Sequence, residues 1–200
     1  MSHQYKKMKV WHDVTPDVFK HEIQALGEPA VLKGLVKSWP STQAAYQGVE
    51  SFLEYLRSLY AGGKVECAKL PAKEKGLFFY NKEFNGFNFE REALPFESFL
   101  NQLVKNSVEV NADVIALQSA PTEDYFPKFQ ELNHFNTFSD KYISRVWIGN
   151  NSIVNAHHDD SENIACVVAG KRKFTLFPPQ QISNLYIGPL DFTPAGAAVS

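Results

Sequence analysis

Two short apolar segments flank the run His157-His158-Asp159, and this pattern limits the fold more than anything else in the chain. Before it stands Val146-Trp147-Ile148-Gly149. After it come a Gly170-Lys171-Arg172-Lys173 turn and Phe174-Thr175-Leu176-Phe177-Pro178-Pro179. Side chains alternate along a strand, so a His and an Asp two residues apart point the same way. One imidazole and one carboxylate on one face make two corners of a 2-His-1-carboxylate triad. Such a triad holds Fe(II) and leaves positions open for substrate and oxygen. A lone H-x-D is common by chance, and its ordinary reading is a surface His in a turn bonded to Asp159 or Asp160. The flanking strands make His157 and Asp159 the candidate metal ligands. His158 falls on the opposite face and reads as a packed or solvated strand residue, although with Asp160 it forms a second H-x-D.

The rest of the sequence predicts one α+β domain over residues 1–200. Thr15 caps a helix that opens with Pro16 and stops at Gly27. Strands are expected at Pro29 to Leu35, Lys64 to Lys69, Gly76 to Tyr80 and Val114 to Gln118. Further strands are expected at Ile143 to Ile148, Ile153 to His157, Ala165 to Val168 and Lys173 to Phe177. Ser51 to Tyr60 and Pro95 to Lys105 read as amphipathic helices. Pro121 to Phe138 reads as a connection with a short helix. Helices dominate the first half and strands the second, which suggests a β-sandwich or barrel core.

Composition narrows the function. A net charge of −2 gives no global basic field to attract nucleic acid. Cys67 and Cys166 are far apart with no C-x-x-C, so they read as reduced, buried thiols of a cytoplasmic protein. The N-terminus lacks an apolar signal region, and no apolar run approaches a membrane span. No G-x-S-x-G, P-loop or G-x-G-x-x-G supports a hydrolase, nucleotide or dinucleotide reading.

The run RVWIGNNSIVNAHHDDSENIACVVAGKRKFTLFPPQQ (145–181) resembles the iron-binding core of the cupin-like JmjC family, the group that includes the hypoxia-inducible-factor asparaginyl hydroxylase. His157, Asp159, Asn163, Gly170, Arg172, Lys173 and Leu176 to Pro179 carry the likeness. EPAVLKGLVKSWP (28–40) and LYIGPLDFTPAG (185–196) resemble the family more weakly. The resemblance implies a double-stranded β-helix (jelly-roll) core and Fe(II)- and 2-oxoglutarate-dependent C–H hydroxylation. It implies His157 and Asp159 as metal ligands, with Asn163, Gln118 and Arg172 near the co-substrate. An inward Arg172, or Lys173 in its place, would pair the far carboxylate of 2-oxoglutarate, since a buried cation needs an anion. The family's second metal His lies on a later strand, so the barrel is expected to be incomplete here, either as a fragment, the favoured reading, or as a natural truncation, and prone to self-association, a homodimer included. Ala116 and Val154 stand where family members often have Tyr and Thr, and both departures remove hydrogen bonds to 2-oxoglutarate that the resemblance would otherwise imply. Two rivals therefore stay open: a non-catalytic cupin-like binding module, and a metal-dependent cupin enzyme that does not use 2-oxoglutarate. The substrate is unidentified, with a protein side chain favoured.

Overall fold

The structure, a computed structural model, describes residues 7–135, 142–194 and 196–200. Strand β1 (Lys9–His12) pairs in parallel with β2 (Ala30–Lys33). Between them, the Thr15 hydroxyl accepts a hydrogen bond from the Val18 N–H at 3.3 Å, satisfying a donor at the helix start. Helix α1 (Pro16–Val18) continues as a π turn at Phe19–Ile23 and a 3-10 turn at Gln24–Leu26. It stops at Gly27, in the left-handed conformation. The cap, the proline and the stop thus lie where the sequence predicts them.

The core is built on a four-stranded antiparallel sheet. Helices α2 (Pro40–Gln47) and α3 (Val49–Leu59) lead into β3 (Lys64–Leu70). Strand β4 (Leu77–Phe78) stands apart from this sheet, and β5 (Glu90–Pro95) runs directly into α4 (Phe96–Val108). Strand β6 (Val114–Pro121) is followed by the short helices α5 (Thr122–Tyr125) and α6 (Phe129–Leu132), and then by β7 (Arg145–Gly149). The sheet order is β5-β3-β6-β7.

Both faces of the central strands are covered. Val65, Cys67, Ile115 and Leu117 point to one side and pack with Leu53, Leu56 and Leu59 of α3 and with Phe96, Phe99 and Leu100 of α4. Those helical residues recur every three or four positions, so they form one apolar stripe. Ala68, Leu70, Val114 and Ala116 point to the other side and pack with Phe78 and Phe89. Asn133, buried after α6, fastens the helices: its Oδ1 accepts from the Ser41 N–H, and its amide donates to the Tyr55 hydroxyl and the Phe129 carbonyl. The expected connection from Pro121 to Phe138 contains α5 and α6, and its residues 136–138 lie outside the described residues.

Strand β8 (Ile153–Val154) carries the motif region and pairs in parallel with β4, Leu77 beside Ile153 and Phe78 beside Val154. The approach is close. A Cβ on Gly76 (φ +84°) would stand 2.8 Å from the Asn151 carbonyl oxygen, so only glycine fits. Gly188 meets the Tyr80 ring in the same way, at 2.7 Å, while the Tyr80 hydroxyl donates to the Pro189 carbonyl.

Three strand expectations need correction. Residues 165–168 and 173–177 form no ladder among the described residues, and Val167, Phe174, Leu176 and Phe177 are exposed. Alternating apolar residues give a strand a face to bury, but a strand also needs a hydrogen-bonded neighbour, and among the described residues none runs beside these segments. The strand expected over Ile153 to His157 is a ladder only at Ile153–Val154. His157 instead makes an isolated antiparallel bridge with Val199. The mixed helices and antiparallel sheet agree with the α+β class. No helix among the described residues is long and apolar enough to cross a membrane.

Phe99 is fully buried between α4 and the sheet. Phe99→Ala should therefore lower unfolding stability by about 3–5 kcal/mol in urea titration. Val110→Ala, at a position 89% exposed, should change it by less than about 0.5 kcal/mol.

Candidate metal centre

His157 and Asp159 point to a common place. The imidazole Nε2 lies 3.5 Å from Asp159 Oδ1, with the His side chain 26% exposed and the carboxylate 55%. The other ring nitrogen, Nδ1, is 2.7 Å from the Asn155 carbonyl oxygen. A carbonyl oxygen only accepts, so Nδ1 carries the proton, and Nε2 of the neutral ring presents a lone pair toward Asp159. Two electron-pair donors facing each other at this distance favour a cation at their side. When the ring is protonated, the same pair is an ordinary His–Asp ion pair. The remaining carboxylate oxygen, Oδ2, accepts from the Asn163 amide at 2.8 Å. A ring nitrogen fixed by a carbonyl and a carboxylate fixed by an amide are the supports that metal ligands use. The donor set thus fits a divalent metal with two protein ligands. Among the described residues no group of three His, Cys, Asp or Glu side chains converges.

The loop that carries these donors is tied at both ends. The Gln24 amide donates to Glu162 Oε2 at 2.8 Å, linking the N-terminal helical segment to the residue before Asn163. On the other side, the Ser200 N–H donates to the Ala156 carbonyl at 3.0 Å, beside the bridge between His157 and Val199. The sequence signalled neither the role of Asn155 nor the pairing with Val199. An Asn at the end of a strand, two residues before a His, is a usable signal, because its short amide competes for backbone groups.

Gln118 is half-buried in a β-bulge of β6. Leu117 pairs with Ile148 and Ala120 with Val146, so Gln118 and Ser119 together face Trp147. Ser119 takes φ +51°, and Arg145 Nη1 donates to its carbonyl at 2.7 Å. Ala116 is buried, whereas Val154 is 43% exposed. His158 is exposed.

The inward Arg172 needs correction. Arg172 and Lys173 are both exposed, and the Arg172 guanidinium lies over the Phe174 ring, 5.7 Å from its centre. Arg172 and Phe174 do share a side, as strand parity requires. Without a ladder at 173–177, however, no sheet face carries them inward. Among the described residues, the structure brings together His157, Asp159 and Asn163, and no hydrogen bond or ion pair joins Gln118 or Arg172 to them. A cleft of about 410 Å³ lies between the α2–α3 turn and Val167 to Gly170, lined also by Tyr46, Val49 and Phe52. It includes none of the three.

Residues 16–200 match the cupin-like domain family. The chain is 22% identical to JmjC domain-containing protein D of Dictyostelium discoideum over 187 residues, covering 84% of this chain and 39% of that protein. It is 25% identical to lysine-specific demethylase JMJ31 of Arabidopsis thaliana over 203 residues, covering 86% of this chain and 36% of that protein. The chain therefore matches well under half the length of these relatives.

Cys67 and Cys166 are both free thiols. Cys166, three residues after Asn163, is shielded enough that burial pushes its thiol up from about 9 to about 11. The unfolded chain then loses this proton first, so the shift removes stability as pH rises from about 9 towards 11. In a Cys67→Ser variant, Cys166 should react with a disulfide reagent at pH 8 roughly 100-fold more slowly than an unhindered thiol, following its smaller thiolate fraction. The rate should climb through pH 10–11. Fast reaction at pH 8 would show the thiol to be unshielded.

Proposed function

The chain belongs to the cupin-like family of JmjC type, and on that premise we propose that it carries the metal-binding part of an Fe(II)- and 2-oxoglutarate-dependent oxygenase that hydroxylates a C–H bond. The observation that carries this reading is the facing pair His157 Nε2 and Asp159 Oδ1, each held from behind by a hydrogen bond. His157 and Asp159 would hold the metal. Asn163 orients the carboxylate, and the Asn155 carbonyl keeps the imidazole in the tautomer that leaves Nε2 free. Iron bound there supplies oxygen activation, with 2-oxoglutarate oxidised to succinate and carbon dioxide. Gln118, half-buried on the sheet, is our candidate for a co-substrate contact. We favour a protein side chain as the substrate. The name of one relative, a lysine-specific demethylase, points to the same class. A cytoplasmic location belongs to the same proposal and rests on the two free cysteines.

A second reading, a cupin-like binding module without turnover, is favoured by one observation. Arg172 and Lys173 are exposed, so neither offers a buried cation to the far carboxylate of 2-oxoglutarate.

Anaerobic Fe(II) titration of the full-length protein, followed by a succinate assay with 2-oxoglutarate and air, separates the two. The oxygenase reading expects stoichiometric Fe(II) binding and succinate release. It also expects Asp159→Ala to abolish both while the melting temperature stays within a few degrees. Iron binding without succinate would support the binding module or a metal-dependent cupin enzyme that does not use 2-oxoglutarate. Unchanged iron affinity in Asp159→Ala would overturn the metal assignment.

A further inference from the structure

Asn155 does two things at once. Its side-chain amide donates to the Phe78 carbonyl at the end of β4. In the parallel pairing of β4 with β8, the Ile153 N–H donates to the Gly76 carbonyl, so the next N–H in the ladder to reach β4 would be that of Asn155, at Phe78. The amide side chain takes that carbonyl, and the ladder ends at Val154. The backbone of Asn155 is then free to turn its own carbonyl to His157 Nδ1, 2.7 Å away. One residue thus joins the end of the β4–β8 pair, at the buried Phe78, to the ring of the candidate ligand. Phe78 is 3% exposed and packs against Phe89, Ala68 and Val114, so the anchor point is rigid.

We propose that Asn155 is a positioning residue: by holding the Phe78 carbonyl with its side chain, it sets its own carbonyl to fix the His157 tautomer and aim Nε2 at the metal position. This rests on the metal reading of His157 and Asp159. Asn155 does not touch the metal or the substrate. It acts through His157, as outer-shell partners of ligating histidines do, and their loss typically costs 10–100-fold in metal affinity. The Asn155–Phe78 bond is local, at the end of a two-residue pairing, so its loss should leave the main sheet intact.

The test uses full-length protein and Co(II) as the probe, with affinity and the visible absorption bands of the bound ion as readouts. Asn155→Ala removes the amide, and Asn155→Asp keeps the shape but cannot donate to a carbonyl when ionised. Both should weaken Co(II) binding by about tenfold or more and alter the absorption bands. Asn155→Ser restores a short donor and should recover most of the affinity. A second readout needs no metal. The ring-nitrogen NMR shifts of His157 should report the Nδ1-protonated tautomer in the wild type and a mixture in Asn155→Ala. Wild-type protein that binds no Co(II) would overturn the metal reading itself. Wild-type binding with equal affinity and an unchanged tautomer in all three variants would overturn the role of Asn155 alone. Loss of binding that Asn155→Ser does not relieve, with the tautomer preserved in Asn155→Ala, would likewise overturn it.

Discussion

The packing of β3 and β6 between two apolar layers is the constraint on which the rest of this fold depends. These two strands bury side chains on both faces, and Val65, Leu70 and Ile115 are wholly excluded from solvent. On the helical side, Phe96, Phe99 and Leu100 of α4 fill the space against Val65, Cys67 and Leu117. On the other side, Phe78 and Phe89 cover Ala68, Val114 and Ala116. Small residues at 68 and 116 let the aromatic layer approach, and Ala116 lies directly across from Gly149 on β7. Hydrophobic burial of this kind stabilises at roughly 25 cal/mol per Å² of apolar surface, and the two layers concentrate it around β3 and β6. The candidate centre is attached to the second layer, through Phe78.

That attachment explains how an exposed loop can hold ordered donors. From the buried Phe78 the chain of contacts runs through its carbonyl to the Asn155 amide, and from the Asn155 carbonyl to His157. Gly76 makes the chain possible, since any side chain there would push β8 away from β4. Gln24 with Glu162, and Ser200 with Ala156, steady the loop from two further directions. The site is therefore organised by hydrogen bonds reaching outward from a core.

The first half of the chain was largely legible because its signals are local. Thr15, Pro16 and Gly27 mark helix ends by hydrogen bonding and backbone freedom, and the leucine stripe of α3 needs only helical periodicity. Strand β6 was legible from the continuous apolar run Val114 to Leu117, which must be buried somewhere, and β3 from the alternation of Lys64 and Glu66 with Val65 and Cys67. The second half was less so. The run from Ala165 to Phe177 has the composition of strands, but a ladder depends on a neighbouring segment that composition does not specify. Val167, Phe174, Leu176 and Phe177 of this run stay exposed. The same gap explains Arg172: parity correctly put it on the side of Phe174, yet parity fixes which residues share a face and not which way that face turns. His157 and Asp159, singled out by their i, i+2 spacing, do bring polar atoms within 3.5 Å, but outside any strand ladder and with Asn155 and Asn163 as their supports. The Asn155 support was missed because it replaces a ladder bond by a side chain, and sequence periodicity carries no trace of such a replacement.

The exposure of the donors decides what holds them. Asp159 is half exposed and His157 only partly shielded, so their mutual attraction, even with a protonated ring, is that of a surface ion pair worth about 0–1 kcal/mol. Ordering one backbone residue costs about 1–2 kcal/mol, so such a pair cannot by itself keep the loop in one conformation. The hydrogen bond that His157 donates to the Asn155 carbonyl and the one that Asn163 donates to Asp159 each contribute on the order of 1 kcal/mol, and more where the acceptor is charged, as at Asp159. Together with the tie to Phe78 they outweigh the ion pair. The geometry at His157 and Asp159 is therefore a consequence of their neutral neighbours. A cation placed between the two donors would find them already aimed, and its binding energy would not have to order the loop.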